Sequence, residues 1–294
     1  MKGCARSCLV GLVGLFVAIA AMYAFLTARG VRPNEAEAPA VGAGILATLA
    51  ISLLWSARGV LRHRRLIVQA LEGIAPVDGQ WAGVSGVIRS SSPLTSPISG
   101  QSVVAFKYRV EESRGTGKQR VTILHYEGTG LSSPTISTNL GKFRLLAVPE
   151  FDMDPSDVDS TTALTNFDTY RWSTTFEQHT TGSERTKSLE SEWTDDDGVF
   201  RRDIQKSGGG SLEGCRFFEH VIGQGEQVCV LGLYSQSRCG IVPDPNWAHQ
   251  TKVIRGGGET AIAHLGRRAR NYTIWAFVFS GIVVLLCVVA LRTV

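Results

Sequence analysis

Three stretches of this chain are too apolar to rest in water, and they limit what the remainder can fold into. Leu9 to Ala28 runs twenty residues without a charge, Val41 to Ala57 runs seventeen, and Tyr272 to Leu291 runs twenty. An apolar helix of about 20 residues spans the hydrocarbon layer of a bilayer, so the sequence predicts three transmembrane helices in an integral membrane protein. The middle stretch sits at the lower limit of length; Pro39 and Ala40 extend it, and a buried hairpin arm is its alternative reading. For the first stretch the rival is a cleaved signal peptide, because Lys2 and Arg6 form a basic start. Its apolar run exceeds the ~7 to 15 residues usual for a signal, and no small-x-small cleavage site follows.

Positive residues near helix ends are retained on the cytoplasmic side. Lys2, Arg6, Arg58, Arg62, Arg64, Arg65, Arg267, Arg268 and Arg270 make nine on one side, against Arg29, Arg32 and Arg292 on the other. The expected orientation in a plasma or inner membrane therefore has the N-terminus and the soluble region in the cytoplasm and the C-terminus outside.

Between and after the spans the hydrophobic period changes. Val60, Leu61, Ile67, Val68 and Leu71 recur at helical spacing, with Arg58, Arg62, Arg64 and Arg65 interleaved. Such a face can lie on lipid while its arginines reach anionic headgroups; equally, the arginines fix topology and nothing more. Gly73 and Pro76 end this helix. From Trp81 onward the period is two. Val104, Phe106, Tyr108 and Val110 alternate with Lys107 and Arg109 as a half-buried strand requires. Stretches 83–88, 120–126, 143–148, 216–222 and 227–234 bring the candidate strands to six, and 90–100 reads as a Pro- and Ser-rich turn. The predicted fold class is a membrane protein of α+β type: three transmembrane helices plus one β-rich, small barrel-like or sandwich-like soluble domain. Its parts are a transmembrane hairpin over 1–57, the soluble region over 58–270, and the last span over 272–291.

Residues 151–214 form an acidic insertion in that domain. Positions 151–200 hold twelve Asp and Glu against three Lys and Arg, a net charge of −9, which leaves +13 on the rest of a chain whose total is +4. A solvated excursion is the reading preferred over a calcium loop built on Asp152, Asp154, Asp157 and Asp159, which lacks the glycine turn and distal glutamate that such loops need. Phe167, Tyr170, Trp172 and Phe176 point to a packed helix or strand within it. The halves on either side hold too few strands to close a core alone, so one soluble domain is expected.

Chemistry is sparse. Six cysteines, at 4, 8, 215, 229, 239 and 287, form no C-x-x-C pair and have no histidines at zinc-ligand spacing, so neither a metal nor another cofactor is expected. Cys229 lies in an apolar run and reads as a buried thiol; Cys4 and Cys8 are either palmitoylation sites beside the first span or small filler residues. No nucleophile elbow, P-loop, G-x-G-x-x-G or H-E-x-x-H occurs. His125 and His220 fall in strands; His220 beside Glu219 is a candidate binding pair, with a hydrogen-bonded structural histidine as the plainer reading. Nucleic acid is not an expected partner, since the clustered arginines abut spans and the insertion is acidic.

Four stretches carry a family resemblance: Gln80 to Val87; the turn Ser92-Pro93-Leu94-Thr95-Ser96-Pro97-Ile98-Ser99-Gly100; the strand Phe106 to Val110; and Phe218 to Gly232. From Leu66 to Arg270 the chain resembles the GIDE, or beside-a-membrane, domain of membrane-embedded mitochondrial and plastid RING-type ubiquitin ligases and their prokaryotic relatives. The resemblance implies a domain held at a membrane and working on a protein partner. In the ligases a zinc-binding RING follows the last span and recruits the conjugating enzyme. Here the sequence runs three residues past the span, to Val294, so ligase activity is not expected to carry over. Ser92, Pro93, Ser96, Pro97 and Gly100 of the turn join Glu219 and His220 as candidate binding residues, because an exposed loop on a rigid sheet is where recognition usually sits. The alternative is that they only shape the turn, as Gly225 shapes a hairpin. The expected function is a membrane-tethered interaction or scaffold module with the bilayer and a protein as partners. A ligase-like family member and a membrane-surface ligand sensor stand as alternatives.

Overall fold

The computed structural model describes residues 17–115, 120–156, 158–176, 178–180, 199–206, 211–244 and 250–292. They form an α+β structure of two compact units, one of helices (1–65 and 262–294) and one built mainly of strands (66–261).

The helical unit holds α1 (Val17–Ala28), most of α2 (Pro33–Leu71), and most of α4 (Gly258–Arg292). Two of these contain segments long and apolar enough to cross a membrane, Pro39–Leu71 and Gly258–Val289. The first predicted span is described only from Val17, as a shorter apolar helix; Leu9 to Phe16, with Cys4, Cys8, Lys2 and Arg6, lies outside the described residues. Glycine lets α1 and α2 approach closely: a Cβ on Gly44 would stand 2.9 Å from the Ile19 Cα. Between them Gly30, at φ +95°, ends α1 in a Schellman turn, in which Gly30 N–H donates to Thr27 O and Val31 N–H to Leu26 O. The accompanying apolar contact joins Leu26 and Val31 in a small buried cluster. The stretch expected as the middle span and the helix expected after it are one continuous α2. The same motif closes it at Gly73, φ +75°, where Gly73 N–H reaches Ala70 O and Ile74 N–H reaches Gln69 O.

The β unit contains a closed ring of five strands and a second sheet. In the ring, β1 (Trp81–Arg89) pairs with β5 (Thr135–Thr138), β5 with β6 (Gly141–Leu145), β6 in parallel with β12 (Gly240–Val242), β12 with β11 (Gln227–Ser235), and β11 back with β1. Two further strands, β13 (Lys252–Arg255) and β7 (Glu150–Phe151), extend from β11. The second sheet runs in the order β10 (Cys215–Gly223), β3 (Ser102–Arg114), β4 (Val121–Leu131), β9 (Phe200–Gln205) and β8 (Gln178–Thr180), with the short β2 (Leu94–Thr95) beside β3. All six expected strands are present with shifted ends.

The second sheet is apolar on both faces at one end and on one face at the other. One core lies between it and the ring, with Val104, Leu131, Phe200 and Ile222 meeting Val84, Ile136, Leu145 and Val230. The other lies beneath α3 (Ser160–Arg171), where Phe106, Tyr108 and Val110 meet Ala163, Phe167 and Tyr170. The acidic insertion is therefore more than a solvated excursion. It supplies α3 and inserts β9 between β4 and β8. Asp159, one of the suspected cation ligands, caps α3 instead, accepting from Thr161 N–H and Thr162 N–H. A hydrogen bond with the Thr162 side chain, followed by these backbone bonds, holds its carboxyl below the usual carboxylate range. Asp157 lies outside the described residues.

Candidate functional site

The turn over 92–100 is held by a carboxylate from the middle of β10. Glu219 pairs with Tyr108 across the sheet and is only 1% exposed. It accepts from Ser96 Oγ at 2.6 Å, from Ile98 N–H at 3.0 Å and from Ser99 N–H at 3.0 Å. From the other side Asn166 of α3 donates to Ile98 O, and within the turn Gly100 N–H donates to Ser96 O. Gly100 takes φ +70°, the left-handed conformation for which glycine has no Cβ penalty. Of the seven candidate residues the structure thus gathers Ser96, Pro97, Gly100 and Glu219 around one turn. Ser92 and Pro93 are exposed at its entrance. His220 follows Glu219 in β10 and so points to the opposite face, where its ring lies 6.1 Å from that of Phe151. Burial, followed by the charge of Lys107, lowers its pKa from the ordinary 6.5.

A second buried carboxylate was not apparent from sequence. Asp203 of β9 is fully buried and accepts from the hydroxyls of Tyr108 (2.6 Å) and Tyr170 (2.9 Å). Desolvation, then the Asp203 charge, raises the Tyr108 pKa well above 10.0, so its phenol keeps its proton. This triad ties α3 to β3 and β9 from inside. The neighbouring glycines make room for it: Gly128 and Gly130 of β4 sit opposite Tyr108 and Phe106. A Cβ on either would stand 2.5 Å from those rings. Near the far end of β3, Glu112 accepts from Arg114 Nε (2.7 Å) and lies 2.9 Å from His125 Nε2. The hydrogen bond from Arg114, then that with His125, lowers its pKa.

The open face of the second sheet contains a concave feature with convergent polar groups. A cleft of about 240 Å³ lies between β3, β4 and β9 on one wall and residues 147–150, 243–244 and 250–251 on the other. Lys107, Glu127, Thr129, Arg202, Glu150 and Asp244 line it, over an apolar floor that includes Val148 and Ile204. Lys206 bridges Glu127 at 2.9 Å and Lys252 bridges Glu150 at 3.5 Å. The cleft is open and of mixed charge. Among the described residues no three metal-ligating side chains cluster. Of the thiols, Cys229 is buried, which pushes it up to about 12; it is neither nucleophilic nor a metal ligand in that state. Such a surface suits the binding of a polar segment more than covalent chemistry. Compared with protein-family models, with curated proteins and with solved structures, the chain matches none.

Proposed function

We propose that the chain is a membrane-tethered interaction module of the GIDE-like kind, in which α1, α2 and α4 are bilayer spans and the β unit presents the cleft to a protein partner at the cytoplasmic face. One observation carries the reading. The chain enters the β unit from α2 and leaves it through α4, and both helices contain segments apolar enough to cross a membrane. In α4 only 6% of the most apolar window is buried, so Trp275, Phe277, Val284, Leu285 and Val289 face outward. Outward apolar side chains over about 20 Å of helix are what a hydrocarbon solvent favours and water opposes. Tethering at two points keeps the cleft near the surface and raises its effective concentration for membrane-bound partners. The orientation rests on the arginine asymmetry of the sequence.

The test has two arms. Alkaline extraction of membranes should leave the full chain in the pellet. A reporter fused after Val294 should read external, and one inserted near Gly209 cytoplasmic. Release at high pH would overturn the tethering; the reversed reporter pattern would overturn the orientation.

A further inference from the structure

Within the helical unit two contacts fix how α2 and α4 run past each other. A Cβ on Gly42 would stand 4.0 Å from Leu286 Cδ1, and one on Gly266 would stand 4.0 Å from Arg64 Nε. Between these points α2 advances from 42 to 64 while α4 retreats from 286 to 266, so the two helices are antiparallel and in register. That register sets Arg58 to Arg65 level with about residues 264–271, at 1.5 Å of rise per residue. Seven arginines therefore share one layer: Arg58, Arg62, Arg64 and Arg65 from α2, with Arg267, Arg268 and Arg270 from α4. Six are exposed; Arg268 is half-buried, with its Nε 3.1 Å from Tyr272 Oη. No Asp or Glu occurs in 58–65 or 262–272. The layer abuts the apolar stretches 41–57 and 272–289, so in a bilayer it falls at headgroup depth.

We propose that this layer is a binding site for anionic phospholipid headgroups, whose phosphates the guanidinium forks grip. The inference rests on the membrane reading above. The six exposed arginines, gathered at one level of the two helices, form a dense positive layer that favours an anionic counterpart. At this depth a phosphodiester is the anion at hand, and arginine matches its geometry with two parallel hydrogen bonds. Juxtamembrane basic clusters also draw anionic lipid by charge alone.

The full chain, extracted in uncharged detergent, would be mixed with phosphatidylglycerol and phosphatidylcholine in equal amounts, and the lipid that stays bound measured by native mass spectrometry and by thermal unfolding. Phosphatidylglycerol should be retained preferentially and should raise the unfolding temperature, with both effects shrinking as salt rises. Replacing Arg62, Arg64, Arg65 and Arg267 by glutamine should weaken retention by about fivefold for each arginine removed. The salt series on the unaltered chain carries the test if that variant fails to insert. Equal retention of the two lipids, or salt-independent retention, would overturn the proposal. So would an equal thermal shift from inorganic phosphate alone, which would make the site one for free phosphate. A chain that stays in the alkaline pellet yet shows no lipid preference fails only this inference; one released at high pH fails the membrane reading itself.

Discussion

Replacing Glu219 with alanine separates the two readings of the Ser-Pro turn. Each hydrogen bond to a charged acceptor contributes about 1.5–3 kcal/mol net, and three converge on this carboxylate. The loss is smaller than their sum because the turn has internal substitutes. Ser96 Oγ keeps Ser99 Oγ at 2.7 Å, and Ser99 N–H keeps Ser96 Oγ at 3.2 Å. Ile98 N–H is the donor left without an acceptor, at about 1–3 kcal/mol, and the buried methylenes of Glu219 add about 1 kcal/mol. Removal of the carboxylate's own desolvation cost offsets part of this. The expected destabilisation is about 3 kcal/mol, or about 6–12 °C for a unit of this size. Glu219→Gln keeps one oxygen for Ile98 N–H and should cost about 1–2 kcal/mol. Thermal unfolding of the full chain in detergent, followed by tryptophan fluorescence, measures both. Glu226→Ala serves as a control, since its ion pair with Arg255 is partly exposed and should contribute under about 1 kcal/mol. If Glu219→Ala unfolds with the unaltered chain, the carboxylate does not hold the turn, and a ligand-recognition role regains ground.

Gly130→Ala would press a methyl group into the Phe106 ring and should cost about 1–3 kcal/mol, whereas Gly59→Ala in open space on α2 should be neutral or stabilising; equal melting temperatures for the two would refute the packing argument. Stability should fall on acidification in two stages. His220 has a folded pKa below its unfolded 6.5, so below pH 6.5 the unfolded chain binds the proton first and gains. Glu112 is held below its ordinary 4.5, so its contribution is present above pH 4.5 and lost as pH falls through the lower folded value. His220→Gln should flatten the first stage and Glu112→Gln the second in denaturant titrations across pH; unchanged slopes would contradict both assignments. Lys107→Glu should leave melting within about 0.5 kcal/mol of the unaltered chain but reduce crosslinking of a membrane partner to a photoreactive group at Thr129; undiminished crosslinking would remove the cleft from the proposed function.

Several elements were legible because one face or both are buried in a simple pattern. Strand β3 shows alternation from Phe106 to Val110, and β11 is a continuous apolar run that pairs on both edges. The glycine stop at Gly73 read correctly because only a left-handed residue closes a Schellman turn cheaply. Strand β9 was hidden. Its Phe200-Arg201-Arg202-Asp203-Ile204-Gln205 looks like surface, and its buried Asp203 is satisfied by two tyrosine hydroxyls that lie 95 and 33 residues away in sequence. The two- and three-residue strands β2, β7, β8 and β12 are too short to display a period. For the same reason the turn and Glu219 were each noticed but not their contact, which joins positions 123 residues apart. The cleft had no sequence signal, since its walls come from several separate segments.

The distribution of satisfied polar groups argues for where a partner would bind. On the α3 side of the second sheet, Glu219 is occupied by the chain's own turn, and Asp203 by Tyr108 and Tyr170. Rings pack over Gly128 and Gly130 there as closely as contact allows. A ligand entering that side would have to displace bonds already made and open a close-packed core, for which nothing new is gained. The opposite face differs at the positions that alternate with these. Lys107 is exposed and Thr129 half-exposed, and both border an open cleft whose acids Glu127 and Glu150 hold their lysines near the surface. Exchanging one such exposed ion pair for another costs little, because each is worth about 0–1 kcal/mol. The alternation of β3 thus gives the two faces of one strand different surroundings: Tyr108 is committed to the fold, and Lys107, one residue earlier, stays exposed at the cleft.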